Sequence, residues 1–282
     1  MNNKFSPLHQ GNRIVPNYPS EKMSLDIKNL WEHFSKTLNW GVSLESRTTF
    51  EFLINAREFS KGRVILDAGA GHQRYKPFFD TSIYISQEHP SGIEFKKMQG
   101  IEYDLIAPLD GLIPLKSDSI ASVICTSVVE HVRYPEMFFA ESYRVLHSGG
   151  RFYIHVPFTY HEHEAPYDFQ RPTSYGLRAW LQSAGFKKIS IIPASNSFTG
   201  ASSFVMTYLV KELSERGQHQ KLKDLAPIVK YCIDTINESV DDYINPEGDF
   251  PIGWLAIAEK DGDLPPMSIA EKSDILPTIR IS

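Results

Sequence analysis

Cysteine is nearly missing: the 282 residues hold two, Cys125 and Cys232, and no CxxC pair. That excludes a disulfide framework and a thiolate zinc site. Both thiols lie in apolar stretches, SVICTS and VKYCIDTI, and read as small buried hydrophobes in a reducing compartment. Long runs of like charge are missing too. Lys+Arg 29 against Asp+Glu 34 leaves a net charge of −5, so no nucleic-acid or anionic-membrane partner is expected. No stretch approaches the roughly 18 apolar residues of a spanning helix, and the opening MNNKFSPLHQGNR lacks the apolar core of a signal peptide. The expectation is a soluble, cytoplasmic protein with no integral membrane segment. Internal repeats and low-complexity tracts are also lacking. What remains is an ordinary globular composition, 41% hydrophobic and 12% aromatic, long enough for one large domain with attached segments.

Short β-branched or aromatic runs at 63–67, 82–86, 121–126 and 151–156 read as buried strands. Weaker ones follow at 103–106, 188–192 and 254–258. Between them the spacing predicts helices from Glu136 to Leu146, stopped by Ser148-Gly149-Gly150, and from Thr173 to Ala184, followed by Gly185. Alternating strand and helix imply an α/β fold: a doubly wound, mostly parallel, seven-stranded Rossmann-like sheet. Residues 24–60 carry helical patterns (Leu25, Leu30, Trp31, Phe34, Leu38, then Phe50, Leu53, Ile54) behind a Pro/Asn-rich leader. Residues 201–250 hold two further helical stretches, about 203–215 and 222–240, too long for a simple loop and expected to cover one end of the sheet as a lid. The organisation expected is a leader and helical segment at 1–60, a core at 61–200 and 251–260, the helical insertion at 201–250, and a tail at 261–282.

VILDAGAGHQRY, residues 64–75, is the most informative stretch. A strand runs into Asp67, and Gly69 and Gly71 make a tight turn ahead of a helix, leaving no side chain between a ligand and the backbone. A dinucleotide fingerprint needs a third glycine at position 74, where this chain has Arg74. A bulky residue there opposes close helix-to-strand packing, so NAD is disfavoured. Glu88 ends the second strand 21 positions after Asp67, where an acid can accept both hydroxyls of a ribose.

These residues resemble motif I and the acidic second-strand end of class I S-adenosylmethionine-dependent methyltransferases. SDSIASVICTSVVEHVRYPEMFFAESYRVLHSGGRFYIHVPF, residues 117–158, is similar to the methyltransferase 11-type members, with Glu130-His131 and Val145-Leu146-x-x-Gly149-Gly150 in family order. The resemblance covers about residues 61–193 and resumes at Trp254. It implies S-adenosyl-L-methionine as cofactor, contacted by Asp67, Gly69, Gly71, Glu88 and Thr126, with His72 at a helix N-terminus facing the cofactor's carboxylate. Many members place an acid after the third strand to bind the adenine. Asp110 is the stand-in here, or else a turn former before Gly111.

The segment HEHEAPYDFQRPT, 161–173, starts at the C-terminal edge of the sheet, where ligands of this fold class lie. Its His163-x-x-Pro166-x-Asp168-Phe169-x-Arg171-x-Thr173 pattern resembles a subset of these methyltransferases, many presumed to act on sugars or secondary metabolites. His163 can take a proton from an acceptor hydroxyl. Asp168 orients that imidazole or pairs with Arg171, and Thr173 caps the following helix. His161 and Arg171 are candidate acceptor contacts. His131 reads as a structural histidine. The His161-x-His163 pair with Glu162 or Glu164 invites a metal, but no further ligand pair is identifiable and none is expected. In the insertion, Met206 and Tyr208 with their apolar neighbours form acceptor-pocket walls together with Trp31 and Phe34. Ordinary core and a homodimer face are the alternatives. The expected activity is methyl transfer to a small-molecule hydroxyl. An N- or C-methyltransferase and a cofactor-binding, non-catalytic partner protein are its rivals.

Overall fold

The computed structural model describes residues 44–92, 100–195, 197–238 and 250–265, with isolated positions 29, 32, 275 and 276. Trp31, Phe34 and the rest of the expected first helical stretch lie outside these. In chain order the elements are α1 (Leu44–Ser60), β1 (Val64–Ala68), β2 (Ile83–Glu88), β3 (Leu105–Ile106), β4 (Ile120–Thr126), α2 (Pro135–Val145), β5 (Leu146–Pro157), α3 (Ser174–Ser183), β6 (Lys188–Pro193), α4 (Ser197–Glu215), α5 (His219–Glu238) and β7 (Gly253–Glu259).

Seven strands form one sheet in the order β3-β2-β1-β4-β5-β7-β6. The first five run parallel, and β7 enters antiparallel between β5 and β6. This is the expected Rossmann-like architecture. The period-two alternation of each strand divides its side chains between two cores. Val64, Leu66 and Ala68 of β1, with Phe152 and Ile154 of β5, point to one face, where Phe138 and Phe139 of α2 and Leu177 and Leu181 of α3 cover them. Ile65 of β1, Ile124 of β4 and Tyr153 of β5 point to the other, against Phe50, Phe52, Leu53 and Ala56 of α1. Each fully buried Phe or Leu of this kind contributes about 1.5–3 kcal/mol over exposure. α1 is tied down by polar contacts as well. Asn55 accepts the Tyr153 hydroxyl at 2.9 Å, and the nearly buried Arg57 donates to the Phe78 carbonyl and to Asp80. Thr173 caps α3 as expected, its Oγ1 accepting the Gly176 amide at 3.1 Å.

Three local expectations are corrected. The helix expected directly after Gly71 is absent: residues 72–75 form turns, and only a 3-10 helix, Lys76–Phe79, follows. Pro77 lacks the amide that would carry an α-helix onward from Gln73, while the buried Phe78 and Phe79 draw the chain inward. Ser148-Gly149-Gly150 does not separate α2 from the next strand; β5 runs through it from Leu146. Gly149 at φ +73 donates to the Lys260 carbonyl, and a Cβ on either glycine would meet backbone, at Leu264 N for Gly149 and at His147 O for Gly150. The pair is therefore kept for close strand packing. Cys125 is buried as expected, whereas Cys232 is exposed on α5.

α4 and α5 pack on one another as a hairpin between β6 and β7, starting earlier than the sequence pattern suggests, at Ser197 and His219. Phe204, Val205, Tyr208, Leu225, Ile228 and Tyr231 remain exposed on it. No helix among the described residues is long and apolar enough to cross a membrane.

Candidate functional site

The parallel strands place the C-terminal ends of β1, β2, β4 and β5 on one sheet edge, and Asp67, Gly69, Gly71, Glu88, Thr126 and the loop 161–171 lie at or just after those ends. The two glycines of the first loop do different work. Gly69, at φ +79, has Val128 against it: a Cβ would lie 2.6 Å from both Val128 methyl carbons. Its lack of a side chain serves packing of the β1 loop on the β4 loop, not approach of a ligand. Gly71, at φ +54, has nothing within 4 Å of a built Cβ among the described residues. Its amide donates to Glu88 Oε2 at 2.8 Å, and its carbonyl accepts the Tyr103 hydroxyl. Glu88 Oε1 also accepts the His89 amide at 3.0 Å. The peptide at Gly71 is thus clamped from both sides with open space over it. A carboxylate offers about four lone-pair positions, so holding the loop does not exhaust Glu88. An open cradle beside a nearly buried acid fits the diol of a ribose-bearing cofactor.

Tyr103 had no signal in the sequence beyond membership of a short strand, since its partner is 32 residues away. Burial and the neighbouring Glu88 push its phenol up to about 12, so it stays a donor. Asp67 is only 2% exposed, and its Oδ2 accepts the Tyr84 hydroxyl. Burial pushes the carboxyl up to about 7, the Tyr84 hydrogen bond opposing and Glu88 adding to the rise. Asp67 therefore braces the end of β1 from behind the cradle. His72 is exposed on the turn, with no helix N-terminus beneath it. Asp110 is half-buried in the turn after β3, and Thr126 is the last residue of β4.

Beyond β4 and β5 lies a histidine cluster. Arg171 donates through Nη1 to Asp168 Oδ1 (2.6 Å) and the Gln170 carbonyl (2.7 Å), and through Nη2 to Asp168 Oδ2 (2.8 Å) and the His161 carbonyl (3.0 Å). Its Nε points at the Tyr160 carbonyl at 3.4 Å. All five N–H groups of the guanidinium are engaged within the loop. His163 Nδ1 lies 3.2 Å from Asp168 Oδ2 and 3.2 Å from the His161 carbonyl. Arg171 Nη2 is equally near, but it has no hydrogen left to give. The proton therefore sits on Nδ1, and Nε2 carries the lone pair. Asp168 also accepts the His163 amide at 2.9 Å. Burial pushes the Asp168 carboxyl up, but Arg171 and the His163 amide outweigh this and hold it below its ordinary range.

His131 shows the same arrangement. Its Nδ1 sits 2.6 Å from the Tyr167 carbonyl and so is protonated, leaving the Nε2 lone pair toward Glu130 Oε1 (3.8 Å) and Glu164 Oε2 (3.9 Å). The His131 and His163 rings meet edge-on at 4.8 Å. His161 stacks on Tyr160, and burial, with the charge of Lys211 on α4 next in importance, lowers its proton affinity. Met206 is half-buried and Tyr208 exposed on the same helix, Tyr208 stacked on Phe204 at 6.5 Å. His155 is fully buried in β5, its Nδ1 3.0 Å from Ser127 Oγ.

Residues 66–154 match the model of a methyltransferase-domain family. No curated protein sequence matches the chain. Among solved structures, the [4+2]-cyclase SpnF is 16% identical over 80% of this chain and 84% of that one, with a TM-score of 0.50. A SAM-dependent methyltransferase from Archaeoglobus fulgidus is 15% identical over 83% and 99%, with a TM-score of 0.46. Phosphoethanolamine N-methyltransferase 2 of Haemonchus contortus, solved with phosphomonomethylethanolamine and S-adenosylhomocysteine, is 12% identical over 76% of this chain and 53% of that one, with a TM-score of 0.43. The chain spans about half the length of that protein. The likeness to SpnF establishes the fold and does not reach the reaction.

Proposed function

We propose that the chain, whose residues 66–154 match a methyltransferase-domain model, is a class I, S-adenosylmethionine-dependent methyltransferase and transfers a methyl group to a hydroxyl of a small-molecule acceptor. One observation supports this above the others: the Gly71 cradle clamped by Glu88 and Tyr103 shares a sheet edge with a His163 whose Nε2 lone pair is fixed by its neighbours. When bound, the cofactor supplies an activated sulfonium methyl, so little covalent help is needed from the protein. Gly71 lets backbone and ligand approach, and Glu88 accepts the ribose hydroxyls while keeping its hold on the loop. On this reading Asp110, Thr126 and His72 supply further cofactor contacts. Asp67 and Gly69 act as positioning residues.

On the acceptor side, His163 Nε2 takes the proton of the hydroxyl as its oxygen becomes the nucleophile. Asp168, 3.2 Å from Nδ1, stabilises the imidazolium that results. Arg171 positions Asp168 and the loop carbonyls. His161, Met206 and Tyr208 supply acceptor contacts from the loop and from α4.

The test is formation of S-adenosylhomocysteine from S-adenosyl-L-methionine over a panel of hydroxyl, amine and carbon acceptors. A hydroxyl acceptor turned over by the native chain and slowed by well over tenfold in His163→Ala is the expected result. Turnover of amines alone, with His163→Ala unaffected, would move the reading to N-methylation. No product from any acceptor, with the cofactor bound, would make the chain a non-catalytic binder.

A further inference from the structure

We propose that Glu130, His131 and His163 form a binding site for one divalent transition-metal ion. Among the described residues, these three bring one ligating atom each within 4.8 Å of the others. Two histidines and a carboxylate are a donor set suited to zinc, manganese, iron or cobalt rather than to the all-oxygen preferences of magnesium or calcium.

Proximity alone would be a weak argument, and the surroundings of the two imidazoles strengthen it. A ligating imidazole ordinarily donates its other N–H to a carbonyl or carboxylate, which fixes the tautomer and aims the lone pair. Both rings meet that condition here. His131 gives its Nδ1 proton to the Tyr167 carbonyl at 2.6 Å. His163 shares its own between Asp168 and the His161 carbonyl, at 3.2 Å each. Two protonated Nδ1 atoms leave two Nε2 lone pairs, and Glu130, only 1% exposed, presents its carboxylate between strand end and loop. The Asp168–Arg171 ion pair holds the second ring in place from behind.

The spacing is that of a site standing slightly open. Ligands at about 2.0–2.2 Å from a four-coordinate ion are about 3.4 Å from one another. His131 Nε2 is 3.8 Å from Glu130 Oε1 and 3.9 Å from Glu164 Oε2. His131 Nε2 therefore has about 0.4 Å to close on Glu130, and the His163 ligand atom, within 4.8 Å of both, has up to about 1.4 Å to close as the loop tightens. The pairing differs from the one the sequence invites. His161 lies farther from His163, 6.0 Å between ring centres against 4.8 Å for His131, and His161 contributes to the site through its backbone carbonyl.

The inference goes beyond the proposed methyl transfer and changes one part of it. A lone pair given to a cation cannot take a proton, so the base role of His163 proposed above belongs to the ion-free chain and a bound ion would suppress it.

Metal binding is scored without cofactor or acceptor, so its outcome is separate from that of the methyl-transfer reading. The full chain, stripped with a chelator, is titrated with zinc chloride by calorimetry and with cobalt chloride by visible absorption. One ion per chain is expected, with a cobalt spectrum of four- or five-coordinate nitrogen and oxygen ligation. His131→Ala, at a half-buried site that tolerates truncation, should weaken zinc binding at least tenfold. Glu130→Gln, which keeps the buried shape, should do the same, and His161→Ala should leave it within about twofold. Absence of stoichiometric binding, an aqua-like cobalt spectrum, or affinity lost in His161→Ala but kept in His131→Ala would each overturn the proposal.

Discussion

Glu88 accepts the amide of Gly71 at 2.8 Å, so the acid at the end of β2 holds the loop after β1 in the shape that leaves its surface open. On the proposed reading, recognition and loop geometry are joined in one carboxylate. Glu88→Ala should weaken S-adenosylhomocysteine binding by roughly 10- to 150-fold, the about 1.5–3 kcal/mol that hydrogen bonds to a charged group contribute. Calorimetry on the folded variant measures it, and unchanged affinity would place the ribose elsewhere.

The two loop glycines should separate in experiment. Gly69→Ala forces a Cβ to within 2.6 Å of Val128 at a positive φ and should cost about 1–3 kcal/mol of stability, part of it recovered by adding Val128→Ala. Gly71→Ala builds a Cβ that meets no described atom within 4 Å; its φ of +54 costs about 1–2 kcal/mol, so it should destabilise less than Gly69→Ala, and Val128→Ala should not rescue it, while cofactor binding weakens. Thermal unfolding and calorimetry on both variants check the pair of outcomes.

Asp67 supplies a pH dependence. Its folded-state value of about 7 stands above the ordinary 3.8, so between those limits the folded chain holds a proton that the unfolded chain has lost. The group's contribution is then fully present below about pH 4, is lost as pH rises toward 7, and levels off above, with a slope of at most about 1.4 kcal/mol per pH unit. In Asp67→Asn, which retains an acceptor for Tyr84, stability should fall less with pH across that window. Parallel denaturation curves for native and variant chains from pH 4 to 8 would refute it.

Arg171 holds three carbonyls and both oxygens of a nearly buried carboxylate. Arg171→Ala should cost about 1–3 kcal/mol and speed amide exchange at His163, whose N–H is given to Asp168. S-adenosylhomocysteine affinity should stay within about twofold, because the proposed cofactor site lies at the first two strands. Exchange unchanged across the loop would show that the ion pair does not hold it.

Much of this was legible in the sequence because it is local. Strands β1, β2, β4 and β5 announce themselves by β-branched runs, Gly71 and Glu88 by their place at strand ends, and Thr173 by its position ahead of a helical stripe. What escaped depends on contacts far apart along the chain. Gly69 answers to Val128, Gly149 to the end of β7, Tyr103 to Gly71 and Tyr84 to Asp67. Cys232 looked buried because its neighbours are apolar, but α5 turns that side outward. His131 could be matched with His163 only once the loop after β5 had folded back over the end of β4, where Phe169 and Gln170 donate their amides to the Glu130 carbonyl.

The α4–α5 hairpin leaves the sheet and returns to it at a single place. The Ala194 amide meets the Gly253 carbonyl at 2.8 Å, the Ile252 amide meets Ser195 Oγ at 3.0 Å, and the Phe250 amide meets Ser197 Oγ at 3.3 Å. Departure and return are therefore stitched together independently of what lies between, like the two pins of a socket. Helices of another length or polarity can be fitted between those pins while β6 and β7 keep their register. On the proposed reading, a change of acceptor then needs new side chains on the plug-in helices and none on the strands.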